Sequence, residues 1–213
     1  MNKIIPTVFA INKKEFKKRF DELVQISPFI QVDIMDGKLV KSKSINPKDL
    51  PNVSSFHINF EAHLMVKNPQ KYLSMLKKKG FHKIIVHYEA FSTNKKLLET
   101  LFQIRDTMKM KAFIAINPET PIIKVFPLLA YVDGVLLMGV HPGKEHQDLI
   151  PEVFAKISVL RERDSKMPIQ IDGGVNIKSI NNLKKSGATI FNSGSFVAES
   201  KNPKKTLQLL QTA

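Results

Sequence analysis

The 213-residue chain contains no cysteine. Disulfides, thiolate zinc sites and a cysteine nucleophile are therefore excluded. The absence fits a reducing compartment, although it is compatible with any. No window approaches the ~20 consecutive apolar residues of a membrane helix. The run from Ile4 to Ile11 is short, contains Pro6 and leads straight into Lys13-Lys14. It reads as a buried strand rather than a signal segment, and a cytoplasmic location is expected. Arginine is scarce: Arg19, Arg105, Arg161 and Arg163 are the only ones among 33 basic residues. Glycine is missing from the turn after the first apolar run, Ala10-Ile11-Asn12-Lys13. This argues against a doubly wound dinucleotide-binding sheet, whose first turn is glycine-rich.

What is there in excess is lysine. With 19 acidic residues the net charge is +14, which could suit a nucleic acid or an anionic membrane. Base reading and bidentate phosphate contacts favour arginine, however. The lysines are also dispersed, at Lys13, Lys14, Lys17, Lys18, Lys77 to Lys79, Lys95, Lys96, Lys184, Lys185, Lys204 and Lys205. They occupy segments with helical spacing, so solvated outer faces account for them. Neither nucleic acid nor membrane is expected as a partner. A hydrophobic fraction of 43% and a charged fraction of 24% describe an ordinary globular chain.

Short apolar runs alternate with longer segments of helical spacing. The expected strands are Ile4–Phe9, Phe29–Met35, His57–Met65, Lys83–Tyr88, Lys111–Ile116, Gly134–Met138, Ile169–Asp172 and Thr189–Asn192. Several are continuous Ile/Val-rich stretches, as parallel strands covered on both faces require. The expected helices are Lys14–Ile26, Pro69–Lys79 with Asn68 as N-cap, Thr93–Lys109, Pro151–Arg163, Ile177–Ser186 ending at Gly187, and Pro203–Gln211. Asn46–Leu50 and Thr120–Leu129 are weaker candidates after the second and fifth strands. Eight such repeats predict one (β/α)8 barrel over residues 1–213.

In such a barrel the chemistry lies at the carboxyl ends of the strands. Residues two apart share a face. Gln31, Asp33 and Met35 therefore point inward together, as do Glu61, His63 and Met65, Gln170 and Asp172, His87 and Glu89, and Leu136 and Met138. Each alone has a bland reading: a structural histidine, a turn, a core methionine. Convergence makes the case. Two buried carboxylates without partners are costly, and a divalent cation held by Asp33, His63 and Asp172 would relieve that cost. Mixed N/O ligation suits Zn, Mn, Fe or Co. Gly173-Gly174 and Gly194-Ser195 follow strands 7 and 8, where barrels often hold a phosphate.

The blocks Val32-Asp33-Ile34-Met35-Asp36-Gly37, Ala62-His63-Leu64-Met65-Val66-Lys67-Asn68-Pro69, Ile116-Asn117-Pro118-Glu119-Thr120-Pro121 and Val135-Leu136-Leu137-Met138 resemble the ribulose-phosphate 3-epimerases. So do Asp172-Gly173-Gly174-Val175-Asn176 and Gly194-Ser195. Their order and spacing match from Pro6-Thr7 to Phe196, nearly the whole chain. The resemblance implies a TIM barrel of the ribulose-phosphate-binding type and a metal-assisted inversion at C3 of a ketose phosphate in the pentose phosphate pathway. It implies Asp33 and Asp172 as the acid/base pair, and Asp33, His63 and Asp172 as ligands of Zn, Fe, Mn or Co. It also implies that Thr7, Met35, Met65, Met138, Gly143, Gly173, Gly174, Gly194 and Ser195 contact substrate, and that the protein forms homo-oligomers. Gln31 stands where the family has a fourth ligand, histidine; its amide oxygen can ligate, more weakly. The family's glycine-rich lid reads His141-Pro142-Gly143-Lys144-Glu145-His146-Gln147. Loss of two glycines is expected to stiffen it, and Glu145 to repel a phosphate unless Lys144 offsets it. Val40-Lys41-Ser42 replaces a Val-Pro-Asn, and Thr7 a serine. The alternatives are an inactive or altered-specificity relative, such as a hexulose-phosphate 3-epimerase, and a decarboxylase or synthase. The last class would want an inward lysine.

Overall fold

In the computed structural model, which describes residues 1–213, eight parallel strands close in sequence order. They are β1 Lys3–Val8, β2 Phe29–Met35, β3 Asn59–Met65, β4 Lys83–His87, β5 Lys111–Ile116, β6 Gly134–Met138, β7 Ile169–Asp172 and β8 Ile190–Ser193. β1 pairs with β8, so the sheet has no free edge. The (β/α)8 barrel expected from the alternation is the observed fold. Each strand lies within about two residues of its expected span, the scatter normal for element ends. Outward residues such as Val32, Ile34, Ala62, Leu64, Ile84 and Val86 form one large core with the surrounding helices. Ile5, Ile85, Phe113, Ala115, Leu136, Met138 and Ile190 pack inside the barrel.

The outer ring contains α1 Lys13–Leu23, α2 Gln70–Lys78, α3 Asn94–Phe102, α4 Glu152–Arg163, α5 Ile180–Ser186, α6 Ser195–Ala198 and α7 Pro203–Thr212. Asn12, Thr93 and Asn202 cap α1, α3 and α7 through side-chain oxygens. Gly187 ends α5 at φ 112°, a left-handed stop. Asn68 is not the cap of α2: Pro69 precedes the first helical residue and no side chain caps it. After β2 there is only a three-residue 3-10 turn, Pro47–Asp49, and after β5 a 3-10 run, Ile122–Tyr131, with Pro127 inside it. α3 passes into a π-helical turn, Gln103–Thr107. Ile104 continues the buried stripe of Leu97 and Leu101 at helical spacing, and Phe102 lies off that stripe, exposed. All the lysines expected on outer faces are exposed except Lys79, which is half-buried. No helix is long and apolar enough to cross a membrane.

Candidate active site

A cavity of about 590 Å³ opens at the carboxyl ends of the strands. Asp33, His63, Met65, Met138 and Asp172 lie among its lining residues, with Thr7 on one wall. The register explains the convergence: Asp33 pairs with His63 across β2 and β3, and Met138 with Asp172 across β6 and β7. Gly143, Gly173, Gly174, Gly194 and Ser195 line the rim. Gly173 and Gly174 have φ of 92° and 71°, and a Cβ on Gly173 would collide with Val140 Cγ2. This turn therefore requires glycine. The Thr7 hydroxyl is buried without a partner, a polar atom left for a bound molecule to satisfy. Met35 is buried on the expected face but does not reach the cavity.

His63 Nδ1 lies 3.3 Å from Asp33 Oδ1 and 3.1 Å from Asp172 Oδ2. Burial works against a charged imidazole, yet Asp172 and Asp33 outweigh it and push His63 up to about 9. Burial pushes the Asp33 carboxyl up to about 6, helped by the charge of Asp172 and opposed by His63 and Gln31. Asp172 is buried too, but the hydrogen bond and charge of His63, with Gln31, bring it below its ordinary value. Two neighbouring carboxylates thus have environments that push them apart. Three donor atoms on one cation at about 2.1 Å would lie about 3.0–3.4 Å from each other. The separations around His63 Nδ1 fit that requirement, and the three residues form a cluster that could hold a metal, His63 and Asp172 buried and Asp33 partly so.

Gln31 sits beneath the cavity. Its nitrogen, not its oxygen, faces the aspartates: Nε2 donates to Asp172 Oδ2 at 2.6 Å and to Asp33 Oδ1 at 2.9 Å. Behind His63, its Nε2 meets His87 Nε2 at 2.8 Å, and His87 Nδ1 lies 3.3 Å from Glu89 Oε2. Glu89 falls in a 3-10 turn just beyond β4 and also accepts from the Asn117 N–H and the Thr120 hydroxyl. Such partners fix the tautomer of a ligating histidine.

Asn192, Arg19 and Lys83 were not singled out from sequence as residues that shape the site, whereas Glu145 was. Asn192 lines the cavity floor and bonds to Gln31. Glu145 reaches the rim beside Gly194. Its carboxylate is held by Arg19 of α1 at 2.9 Å, and Arg19 also binds Glu199 and the carbonyl of Phe9. Arg19, rather than the exposed Lys144, is the cation that offsets Glu145. The segment is further pinned by Ser42 on the Gly143 carbonyl and by Gln147 on the carbonyls of His141 and Lys144. An inward lysine exists, Lys83, but it pairs with Glu61 below the site and does not line the cavity. Lys83 escaped notice because a lysine opening a strand reads as solvated. The inward face of β3, already carrying Glu61, was the signal that could have found it.

Residues 3–198 match the model of the ribulose-phosphate 3 epimerase family. The chain is 32% identical to the ribulose-phosphate 3-epimerase of Synechocystis, covering 95% of this chain and 91% of the relative. It is 30% identical to that of Helicobacter pylori, covering 98% and 96%. Among solved structures, 3-hexulose-6-phosphate synthase from Salmonella typhimurium superposes with a TM-score of 0.71 at 11% identity, covering 99% and 97%. KGPDC from Streptococcus mutans gives 0.70 at 12%, covering 100% and 96%. At that identity these two speak to the fold alone. The matched span and the identities over nearly full length establish that the chain belongs to the ribulose-phosphate 3-epimerase family.

Proposed function

We propose that the protein is an isomerase that inverts C3 of a ketose phosphate, D-ribulose 5-phosphate or a close analogue, with Asp33 and Asp172 as the acid/base pair. The observation that carries this reading is the convergence of the Asp33 and Asp172 carboxylates on His63 Nδ1, at 3.3 Å and 3.1 Å, where the cavity meets the strand ends. An ionised carboxylate takes the C3 proton from one face, and the protonated one returns a proton to the other face. The roles exchange in the reverse direction. Met65 and Met138 wall the reacting carbon from water. The glycine turns at Gly173-Gly174 and Gly194-Ser195 would hold the phosphate, with Thr7 and Gly143 facing the sugar chain. Asp33, His63 and Asp172 would hold a divalent cation such as Zn, Fe, Mn or Co, which when bound supplies Lewis-acid stabilisation of the enediolate charge.

The test is solvent exchange. Protein incubated with D-ribulose 5-phosphate in deuterated buffer, with Zn, Mn, Fe or Co in turn, should place deuterium at C3 and yield D-xylulose 5-phosphate. Asp33→Asn and Asp172→Asn should each lower turnover by roughly a thousandfold or more. Near-normal turnover in either variant would remove the two-acid assignment. Ligand-induced thermal stabilisation with no exchange under any metal would mark a protein that only binds the sugar phosphate.

A further inference from the structure

The barrel interior contains a continuous chain of buried polar side chains beneath the cavity. Lys83 Nζ donates to Glu61 Oε2 at 2.6 Å and to Gln170 Oε1 at 2.7 Å. Gln170 Nε2 donates to Glu61 Oε1 at 2.6 Å and to Asn192 Oδ1 at 2.7 Å. Asn192 Nδ2 donates to Gln31 Oε1 at 2.5 Å and to Glu61 Oε1 at 3.3 Å. Gln31 Nε2 then donates to Asp172 and Asp33. All five of Lys83, Glu61, Gln170, Asn192 and Gln31 are buried.

The direction of this chain is fixed at its inner end. An ammonium only donates and a carboxylate only accepts. Gln170 must therefore turn its oxygen to Lys83 and its nitrogen to Glu61. That leaves its nitrogen facing Asn192, which must answer with oxygen and present its own NH2 to Gln31. Gln31 must answer with oxygen in turn, so its NH2 faces the aspartates. Turning Gln31 alone would set NH2 against NH2 at Asn192 and oxygen against two carboxylates. Turning all three amides would set the Gln170 NH2 against the Lys83 ammonium. Either leaves buried groups unpaired, the costly condition for polar atoms in a protein interior.

We propose that Gln31 is a positioning residue, a hydrogen-bond donor shared by Asp33 and Asp172 that fixes where the two carboxylates sit, in a polarity dictated by Lys83 and Glu61 through Gln170 and Asn192. It is not a metal ligand, and Asp33, His63 and Asp172 are the whole protein contribution to a bound cation. This rests on the reading of Asp33 and Asp172 as the acid/base pair.

Two measurements test it without relying on activity. The first is a neutron structure of the metal-free protein, in which nitrogen and oxygen are distinct and deuterons are visible. Two deuterons on the Gln31 atom facing Asp172 are expected; an oxygen there overturns the proposal. The second is Co(II) titration, followed by visible absorption. Gln31→Leu should bind Co(II) within about threefold of the unaltered protein, with an unchanged spectrum. A tenfold weakening with an altered spectrum would make the Gln31 oxygen a ligand and refute the proposal. Lys83→Met combined with Glu61→Gln frees the polarity, so Co(II) should bind severalfold tighter, and adding Gln31→Leu should abolish the gain. Turnover then reports positioning: Gln31→Leu should lower kcat at least tenfold with KM nearly unchanged and shift the pH profile. Unchanged kcat and pH profile would refute the positioning role. If the unaltered protein exchanges no C3 proton, the epimerase reading fails while the neutron and cobalt results still decide the polarity of Gln31.

Discussion

Replacing Lys83 by methionine removes a buried ammonium while keeping most of the side-chain volume. Lys83 is 5% exposed and Glu61 is 3% exposed, so neither charge can turn to water. The variant leaves the Glu61 carboxylate with only the amides of Gln170 and Asn192, strips Gln170 Oε1 of its donor and removes the cation from above the Phe113 ring. Removing one partner of a buried ion pair costs about 3–5 kcal/mol. In a chain of this length each kcal/mol moves the melting temperature by about 2–4 °C, so Lys83→Met should melt roughly 6–20 °C lower. Glu61→Leu with Lys83→Met removes both charges together and should recover much of that loss. Urea denaturation of the two single variants and the double variant closes the cycle, and coupling of about 2 kcal/mol or more is expected. Strict additivity, or a cost under about 1 kcal/mol for Lys83→Met, would refute the claim that this pair is buried and energetically coupled.

Other perturbations reach the rim and the second layer. Glu145→Gln removes a negative charge beside Gly194 and should lower KM for a sugar phosphate about three- to tenfold, as relief of a screened like-charge contact implies; a raised KM would show that the Arg19 clasp organises the phosphate loops instead. Gly173→Ala forces a left-handed φ of 92° on alanine and drives its Cβ into Val140. It should cost about 1–3 kcal/mol in thermal or urea melts, and a wild-type melting curve would contradict the strain argument. Burial would raise the Glu89 carboxyl, but His87, Thr120 and the Asn117 N–H outweigh it and hold it below its ordinary value. A depressed carboxyl stabilises above its unfolded pKa, and that stability is lost as pH falls through the folded value. The stability advantage over Glu89→Gln should therefore be full above about pH 5 and shrink as acid is added; a gap independent of pH would count against it.

The strands were legible because parallel strands buried on both faces must be continuous apolar runs, and Lys111–Ile116 or Gly134–Met138 can be nothing else in a chain that alternates so regularly. The cover over β2 and β5 was less legible for an equally physical reason. Pro51 forces Leu50 out of helical backbone and stops the first segment after three residues, and Pro127 removes a ladder donor inside the second, so both settle as 3-10 structure. The π turn after Phe102 gave no signal, since it replaces one regular ladder by another without a breaker residue. At the site, face alternation alone brought Asp33, His63 and Asp172 together. It could not reveal Arg19 on Glu145, because a helical arginine 126 positions from its partner has no local mark.

At Gln31, which stands where the resemblance implies a histidine, side-chain polarity matters more than residue type. Neutral histidine offers one donor and one acceptor nitrogen. To ligate a cation from position 31 it would need its N–H directed at an acceptor on β8. Asn192 presents NH2 there, because Gln170 gives it no other choice while Lys83 and Glu61 stand behind. A histidine introduced alone would accept from Asn192 and turn its N–H to the aspartates, taking the place of the glutamine without becoming a ligand. On the role proposed for Gln31, whether position 31 can ligate a cation is set three side chains away, at the ion pair on β3 and β4, through Asn192 and Gln170. A change at Gln31 acquires a meaning for metal binding only together with the residues that set the direction of the chain.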